Sequence, residues 1–539
     1  MYTKFPLKTI LEWSLFCLFI FLIFASFLTC YGSGEEGWQS VGMNVADSAE
    51  NEDIAEKLET KPSRGVIWGK SNKTPVASEK TPAERMPQIP ARETKTPPAV
   101  LPKTSATPQP LPQLPSAKNT ANKTKYLLKS SRKKGSTDLV ETLLEVTGDV
   151  KQVSADLKES KDKMEVTAGF RYEERISEFS LTDKLVGVRR YNMAKSRMKI
   201  GSRTKMPELE SELQTIVCSL EKESVSLFSP RGSLRGEQLL LIEDIPGNTL
   251  TIDRLLPNKE VGIADTWKIS DSVLRSFLSI DAVVSSNVEA VLTAVADNMA
   301  IIEVVGDVSG VYLGAATEMS VRAKFQFDLA EKRINWIGMM IEENRSIGHV
   351  GPGLDLLAKL QVKISPNTAP KELTDEFMMT VAVKPSSKVL QLKYDGGKGP
   401  WRFSHDRSWY VYQDDPQATV LRKLENGELI AQCNVADMGT VDVKTMTSLE
   451  KFQQDLITGL GKNFGKVAAA TQYTDKRGYK VYKVLLDGTV ENMPIRWIYH
   501  LLTDADGRQS VVVFVVEAAM LEQFGSADDL LLDTYRMGK

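Results

Sequence analysis

Residues 299–342, MAIIEVVGDVSGVYLGAATEMSVRAKFQFDLAEKRINWIGMMIE, decide the fold class. β-Branched, aromatic and small apolar residues fill three runs, Met299 to Val308, Val311 to Phe327 and Arg333 to Glu342. Such side chains suit a pleated, half-buried surface, and runs separated by short polar or glycine-bearing breaks read as strands of an antiparallel meander. Asp297-Asn298 and Gly306 to Gly310 are the expected turns.

Moving upstream, Ala282 to Val295 reads as another strand, and Glu212 to Leu220 with Glu223 to Phe228 as a hairpin. From Met164 onward Val166, Ala168 and Phe170 alternate with Glu165, Thr167 and Arg171, the period of a half-buried strand. Leu139, Leu143, Val146, Val150, Val153 and Leu157 fit either a helix or a long twisted strand. Ser270 to Ser279 is the helical stretch, with Ser270 or Asp271 as its cap. Downstream, R-S-I-G-H-V-G-P-G at 345–353 reads as a turn, because no helix clearly follows to offer its N-terminus to a phosphate. Leu354 to Ile364 is a further strand candidate. Residues 135–364 are therefore expected to form a mostly antiparallel β domain, a half-barrel or a sandwich.

A connector at 365–389 precedes a different pattern. Trp401, Phe403, Trp409 and Tyr410 mark an opening hairpin, and strands follow at Thr419 to Leu424 and Leu429 to Val435. Thr447 with Glu450 three residues on has the form of a capping box, and Leu449, Phe452, Leu456, Leu460 and Phe464 recur at helical spacing. Strands Val467 to Tyr473, Tyr479 to Leu486, Pro494 to Thr503 and Gln509 to Val516 come next, then a helix from Ser526 to about Met537. Residues 390–539 thus read as an α+β domain, an antiparallel sheet with covering helices.

The N-terminal quarter is built differently. Lys4 and Lys8 precede an apolar run from Trp13 to Leu28, so residues 1–30 read as an export signal or an anchor meeting the membrane through residues 9–29. Three processing routes stand open: a retained anchor, a cleaved signal, or lipidation at Cys30, where Phe27-Leu28-Thr29-Cys30 resembles a bacterial lipoprotein site. Each sends the remainder out of the cytoplasm. Residues 31–60 carry eight acids and one lysine. Between Lys61 and Lys134 the balance reverses to sixteen basic residues against three acids, and twelve of the chain's 24 prolines lie between Pro62 and Pro115. Such a composition cannot bury enough apolar area to fold, so 31–134 is expected to be disordered, ending in a Pro/Lys-rich linker.

Chemistry is scarce. Of four cysteines, Cys218 and Cys433 fall in separate apolar strand patterns and read as core hydrophobes, and His349, His405 and His500 are too scattered for a zinc site. Ser404-His405-Asp406 has the residue types of a hydrolase triad, but neighbours on a strand point to opposite faces. No catalytic, cofactor-binding or metal-binding residue is assigned. One charge feature stands out: Arg189, Arg190, Lys195, Arg197, Lys199, Arg203 and Lys205 occur with no acid between them. Arg189, Arg190, Arg197, Lys199 and Arg203 are the candidate contacts for an anionic polymer or lipid head group, if alternation brings several to one face. The competing reading is a solvated face paired with acids. Nucleic acid is excluded as a partner by the acidic balance of the folded part and by export.

The element order of 390–539 resembles the PsbP proteins, extrinsic components of photosystem II, and their non-photosynthetic bacterial relatives. W-R-F-S-H-D-R-S-W-Y at 401–410, G-Y-K-V-Y at 478–482 and D-D-L-L-L-D-T-Y at 528–535 carry the resemblance. It implies a partner-binding module and transfers no active residue. Through W-K-I-S-D at 267–271 and the 345–353 motif, the whole chain is similar to uncharacterised exported proteins of planctomycete-type bacteria, which implies export alone. The β-rich domain is loosely similar in pattern to lipid-carrier half-barrels of the bacterial envelope. The expected function is that of an extracytoplasmic, non-enzymatic binding or structural protein of the cell envelope, its partner a protein, a lipid or an anionic polymer. The alternatives are a lipid or acyl-chain carrier and an enzyme whose site no motif reveals.

Overall fold

Period-two patterning governs the structure. Along Ala315–Asp328 buried side chains alternate with more open ones without a break, and each strand so patterned must lay its apolar face on a common core. The computed structural model describes residues 124–538 apart from 154–158, 180–183, 222–223, 396 and 417. The signal or anchor segment, Cys30 and the stretch 31–123 lie outside the described residues. Among the described residues no helix is long and apolar enough to cross a membrane.

Among the described residues, thirteen strands form one antiparallel sheet. Its order is Ser224–Phe228, Thr215–Glu221, Lys184–Ile200, Glu159–Phe179, Thr137–Val153, Gly353–Pro366, Arg333–Arg345, Ala315–Asp328, Met299–Tyr312, Glu289–Ala296 and Thr266–Lys268, with Arg203–Lys205 and Ala282–Ser286 added at the sides. Among the described residues the two ends of this order do not pair, so the sheet is open there. Its inner residues, from Cys218 and Tyr191 to Phe325 and Ala290, share one core with Leu239, Leu241 and Ile242 of helix Gly236–Glu243 and Leu274 and Phe277 of helix Asp271–Leu278. A single sheet curled round helical filling is a half-barrel, which decides between the two expected architectures. On the outer face Val186, Val188, Val217 and Phe228 are covered by Leu373, Phe377 and Met378 of the connector.

Two local readings are corrected. Gly306 to Gly310 is not a turn: Met299–Tyr312 runs straight through it, and the chain reverses at Leu313 and Gly314, both with left-handed backbone. That pair satisfies the mirror-image hairpin turn that the twist of the strands requires, so position and not composition chose the turn. The helix Gly236–Glu243 was not expected, since it shows no amphipathic signal: both its sides meet protein or the cavity described below.

In the C-terminal part, Leu392–Tyr394, Trp401–His405 and Arg536–Met537 make a three-stranded sheet. A seven-stranded antiparallel sheet follows, in the order Trp409–Asp414, Ala418–Glu425, Glu428–Thr440, Arg508–Glu517, Met493–Thr503, Lys480–Val490 and Phe464–Thr474. Trp401–His405 and Trp409–Asp414 therefore belong to different sheets and form no hairpin. Helix Leu449–Leu460 covers one face through Phe452, Leu456 and Leu460, capped by Ser448 rather than Thr447. Helices Leu521–Phe524 and Ala527–Thr534 cover the other, against Ile498, Val512 and Phe514.

Candidate functional site

The inner face of the half-barrel is not filled evenly. Toward one end, the alternation of Thr137–Val153 and its neighbours brings polar side chains inward, where they pair with one another, though Asp253 Oδ1 and Arg333 Nε are left without a hydrogen bond. Arg132 reaches Glu174 at 3.0 Å and Asp253 at 3.1 Å, and Arg189 Nε donates to Glu174 at 2.8 Å. Thr249 adds a third donor to Glu174 at 2.8 Å, and Arg333 pairs with Asp138. Burial alone would raise the Glu174 carboxyl, but the guanidinium groups of Arg189 and Arg132 hold it below its ordinary range. Arg189 of this network also lines the cavity, so the network forms part of its wall.

Toward the other end the inner face carries Met198, Ile200 and Leu354, all half-buried. They border a cavity of about 1350 Å³ that is closed by helix Gly236–Glu243 and by the C-terminal edge strand Trp409–Asp414. That exceeds the roughly 300–1,000 Å³ usual for small-molecule pockets. Val150, Met164, Phe170, Met198, Ile200 and Leu240 give it an apolar trench. Leu240 keeps 48% of its surface open, high for a leucine walled by protein.

Where the two parts of the chain meet, the lining turns polar, with Glu243, Asp244, Asp281, Tyr312, Arg345, Arg407 and Tyr410. Tyr312 donates to Asp244 at 2.9 Å, and the Arg345 guanidinium lies 3.9 Å over the Tyr312 ring while bonding Glu343 at 2.8 Å. Burial, with Asp244 beside it, pushes the Glu243 carboxyl up to about 7. Asp244 is open to the cavity, yet protein around it keeps enough water away that burial raises its carboxyl to about 6 despite the Tyr312 bond. Arg407 spans the junction, donating to the Leu227 carbonyl at 2.6 Å and the Leu390 carbonyl at 3.0 Å. The hairpin tips Leu313-Gly314 and Asn426-Gly427 touch: a Cβ on Gly314 would lie 2.3 Å from the Gly427 carbonyl oxygen.

The five predicted anion contacts do not share a face. Asn192 is an extra residue in its strand, since Tyr172 pairs with Tyr191 and Arg171 with Met193. This bulge inverts the alternation. Arg189, before it, points inward and is 4% exposed. Arg197 and Lys199, after it, are exposed opposite Thr167 and Glu165 on the outer face, because Met198 and Ile200 take the cavity side. Arg190 stands 3.7 Å from Glu372 of the connector, and Arg203 lies at the cavity rim with Lys205. Neighbouring Glu173 and Glu174 likewise face opposite ways, Glu173 accepting the backbone N–H groups of Lys371, Glu372 and Leu373.

His405 and His500 are buried, and His405 also lines the cavity. His405 is buried with Nδ1 against the Asp406 carbonyl, while Asp406 bonds Ser408 and the Ser404 backbone bonds Thr534, so no triad forms. His500, Asp528 and Asp529 lie close enough to share a cation, but Lys483 already sits 2.8 Å from Asp528 and 2.9 Å from Asp529. Burial would raise Asp528, yet His500 and Lys483 hold it down to about 2. Two of the quoted stretches reach the cavity, through Arg345 of 345–353 and Tyr410 of 401–410, but Glu243, Asp281, Arg345 and Tyr410 are distant in sequence, and only the tertiary fold gathers them.

No family model matches the chain, and no curated protein matches it. Among solved structures, a cyanobacterial PsbP protein from Synechocystis aligns at 12% identity over 27% of this chain and 92% of its own, with a TM-score of 0.23. The translocator domain of the autotransporter NalP from Neisseria meningitidis aligns at 8% identity, over 72% of this chain and 90% of its own, TM-score 0.12. The outer membrane protein OprD from Pseudomonas aeruginosa aligns at 8% identity, over 73% and 96%, TM-score 0.12. At TM-scores this low none of the three assigns the chain to a family.

Proposed function

We propose that this chain is an extracytoplasmic binding protein of the cell envelope whose half-barrel holds an amphipathic ligand bearing an acyl chain. The observation that carries the reading is the cavity of about 1350 Å³, apolar along the sheet and polar where the C-terminal part covers it. A trench lined by Val150, Met164, Met198, Ile200 and Leu240 suits a hydrocarbon tail, whose burial stabilises by about 0.8 kcal/mol per methylene. The polar end suits a hydrogen-bonding head group. The N-terminal apolar run and proline-rich arm complete the proposal, as anchor and spacer that hold the binding part away from the membrane surface. Arg203 and Lys205 at the rim give an anionic envelope component a place to meet the chain.

Native mass spectrometry of the full chain purified from its own membranes tests this. A bound species releasable into organic solvent and carrying an acyl chain is the expected result; a chain of bare mass, with no acyl species in the extract, overturns it. One observation favours a second reading, an enzyme acting on such a ligand: Glu243 and Asp244, with raised proton affinity, face the same space. Chemical change of the bound molecule during incubation, abolished by Glu243→Gln, would support the enzyme.

A further inference from the structure

We propose that the strand Phe464–Thr474 is a docking edge and that its occupant is the same strand of a second copy of this chain. Unpaired strand edges are normally kept short, charged, bulged or covered. Two outer strands of the large sheet are short, Ser224–Phe228 and Thr266–Lys268, and the other edge of the seven-stranded sheet, Trp409–Asp414, lines the cavity. Phe464–Thr474 has none of these protections beyond two bulges and a single lysine, Lys466, in its first half. From Ala469 to Thr474 it pairs regularly with Leu485 to Lys480, and five of these six residues are exposed.

The chemistry of that stretch selects the occupant. In a two-fold antiparallel pairing, residues of like parity face each other, and over Ala469–Thr474 every such register opposes only alanine, threonine, glutamine and tyrosine. No charge has to be matched by a partner of opposite sign, and none repels its own copy. The one lysine of the strand, Lys466, is already 3.8 Å from Asp487 of the same chain. On the helix side Phe464, Val467 and Ala470 are only partly buried against the core beneath helix Leu449–Leu460, so a second copy would continue an apolar row that now stops at the edge.

The test is sedimentation equilibrium of the full chain in density-matched detergent, with Thr471→Lys as the variant. Thr471 is exposed, so the substitution leaves the core intact, and it sets lysines close together across the pair. The expected result is a wild-type dimer that Thr471→Lys weakens at least tenfold. In parallel, Thr471→Cys in a chain carrying Cys17→Ser and Cys30→Ser should form an intermolecular disulfide on mild oxidation that the same chain without Thr471→Cys lacks, since Cys218 and Cys433 are buried. A wild type that sediments as a single chain at every concentration, or a dimer that both variants leave unchanged, overturns the proposal. So does a monomer whose Ala469–Thr474 amides exchange slowly, which would mark a different occupant.

Discussion

Arg189 and Arg197 stand eight positions apart on one strand, and a single extra residue, Asn192, sends them to opposite sides of the sheet. Arg189→Ala leaves Glu174 buried beside one fewer cation and is expected to destabilise by about 3–5 kcal/mol in urea unfolding. Arg197→Ala, on the open face, should change stability by no more than about 0.5 kcal/mol. The run of basic residues was visible in the sequence, but their division was not, because nothing in the composition around Asn192 announces a bulge. Glu243 makes a second prediction at this scale. Its carboxyl, raised from 4.5 to about 7, binds its proton more tightly in the folded than in the unfolded chain. This contribution to stability is therefore fully present below pH 4.5 and fades as the pH rises through about 7. Glu243→Gln should flatten that part of the profile of melting temperature against pH, measured against the wild type.

At the scale of elements, most of the strands were legible because alternation is enforced by burial on one face. Gln509 to Val516 and Pro494 to Thr503 coincide with the strands Arg508–Glu517 and Met493–Thr503 to within a residue. What escaped were features decided by other elements. Gly306 looked like a turn residue, but its bare Cα is needed where the neighbouring chain crosses, since a Cβ there would lie 2.5 Å from Val288 Cα. Helix Gly236–Glu243 was missed for the same reason that it matters, its leucines pointing both to the core and to the cavity. The contact of the two hairpin tips is a third case. Gly314→Ala, with backbone and not a flexible side chain in its way, should push the tips apart at a cost of about 1–3 kcal/mol. Limited proteolysis should then cut the chain between the strands Gly353–Pro366 and Leu392–Tyr394 faster than in the wild type, while unchanged rates would mean that the tips do not hold the two parts together.

For the whole molecule, the sequence announces a β-rich region followed by an α+β region, and the structure agrees in both. It did not give away the cavity, because an internal space is a property of how far a sheet curls and of what covers its open side. Thirteen strands curl around two helices that occupy part of the inner face, and the C-terminal sheet lies over the remainder. This remainder is the space proposed to hold an acyl chain. Titration of the full chain with a fluorescent long-chain acyl probe tests it most directly, comparing the wild type with the double variant Ile200→Asp, Leu240→Asp. Both residues line the trench and neither is fully buried, so the variant puts charge where the tail would lie and leaves the fold in place. The predicted result is saturable binding at one site per chain, weakened at least a hundredfold in the variant. Binding of equal strength in both, or none in either, would contradict it.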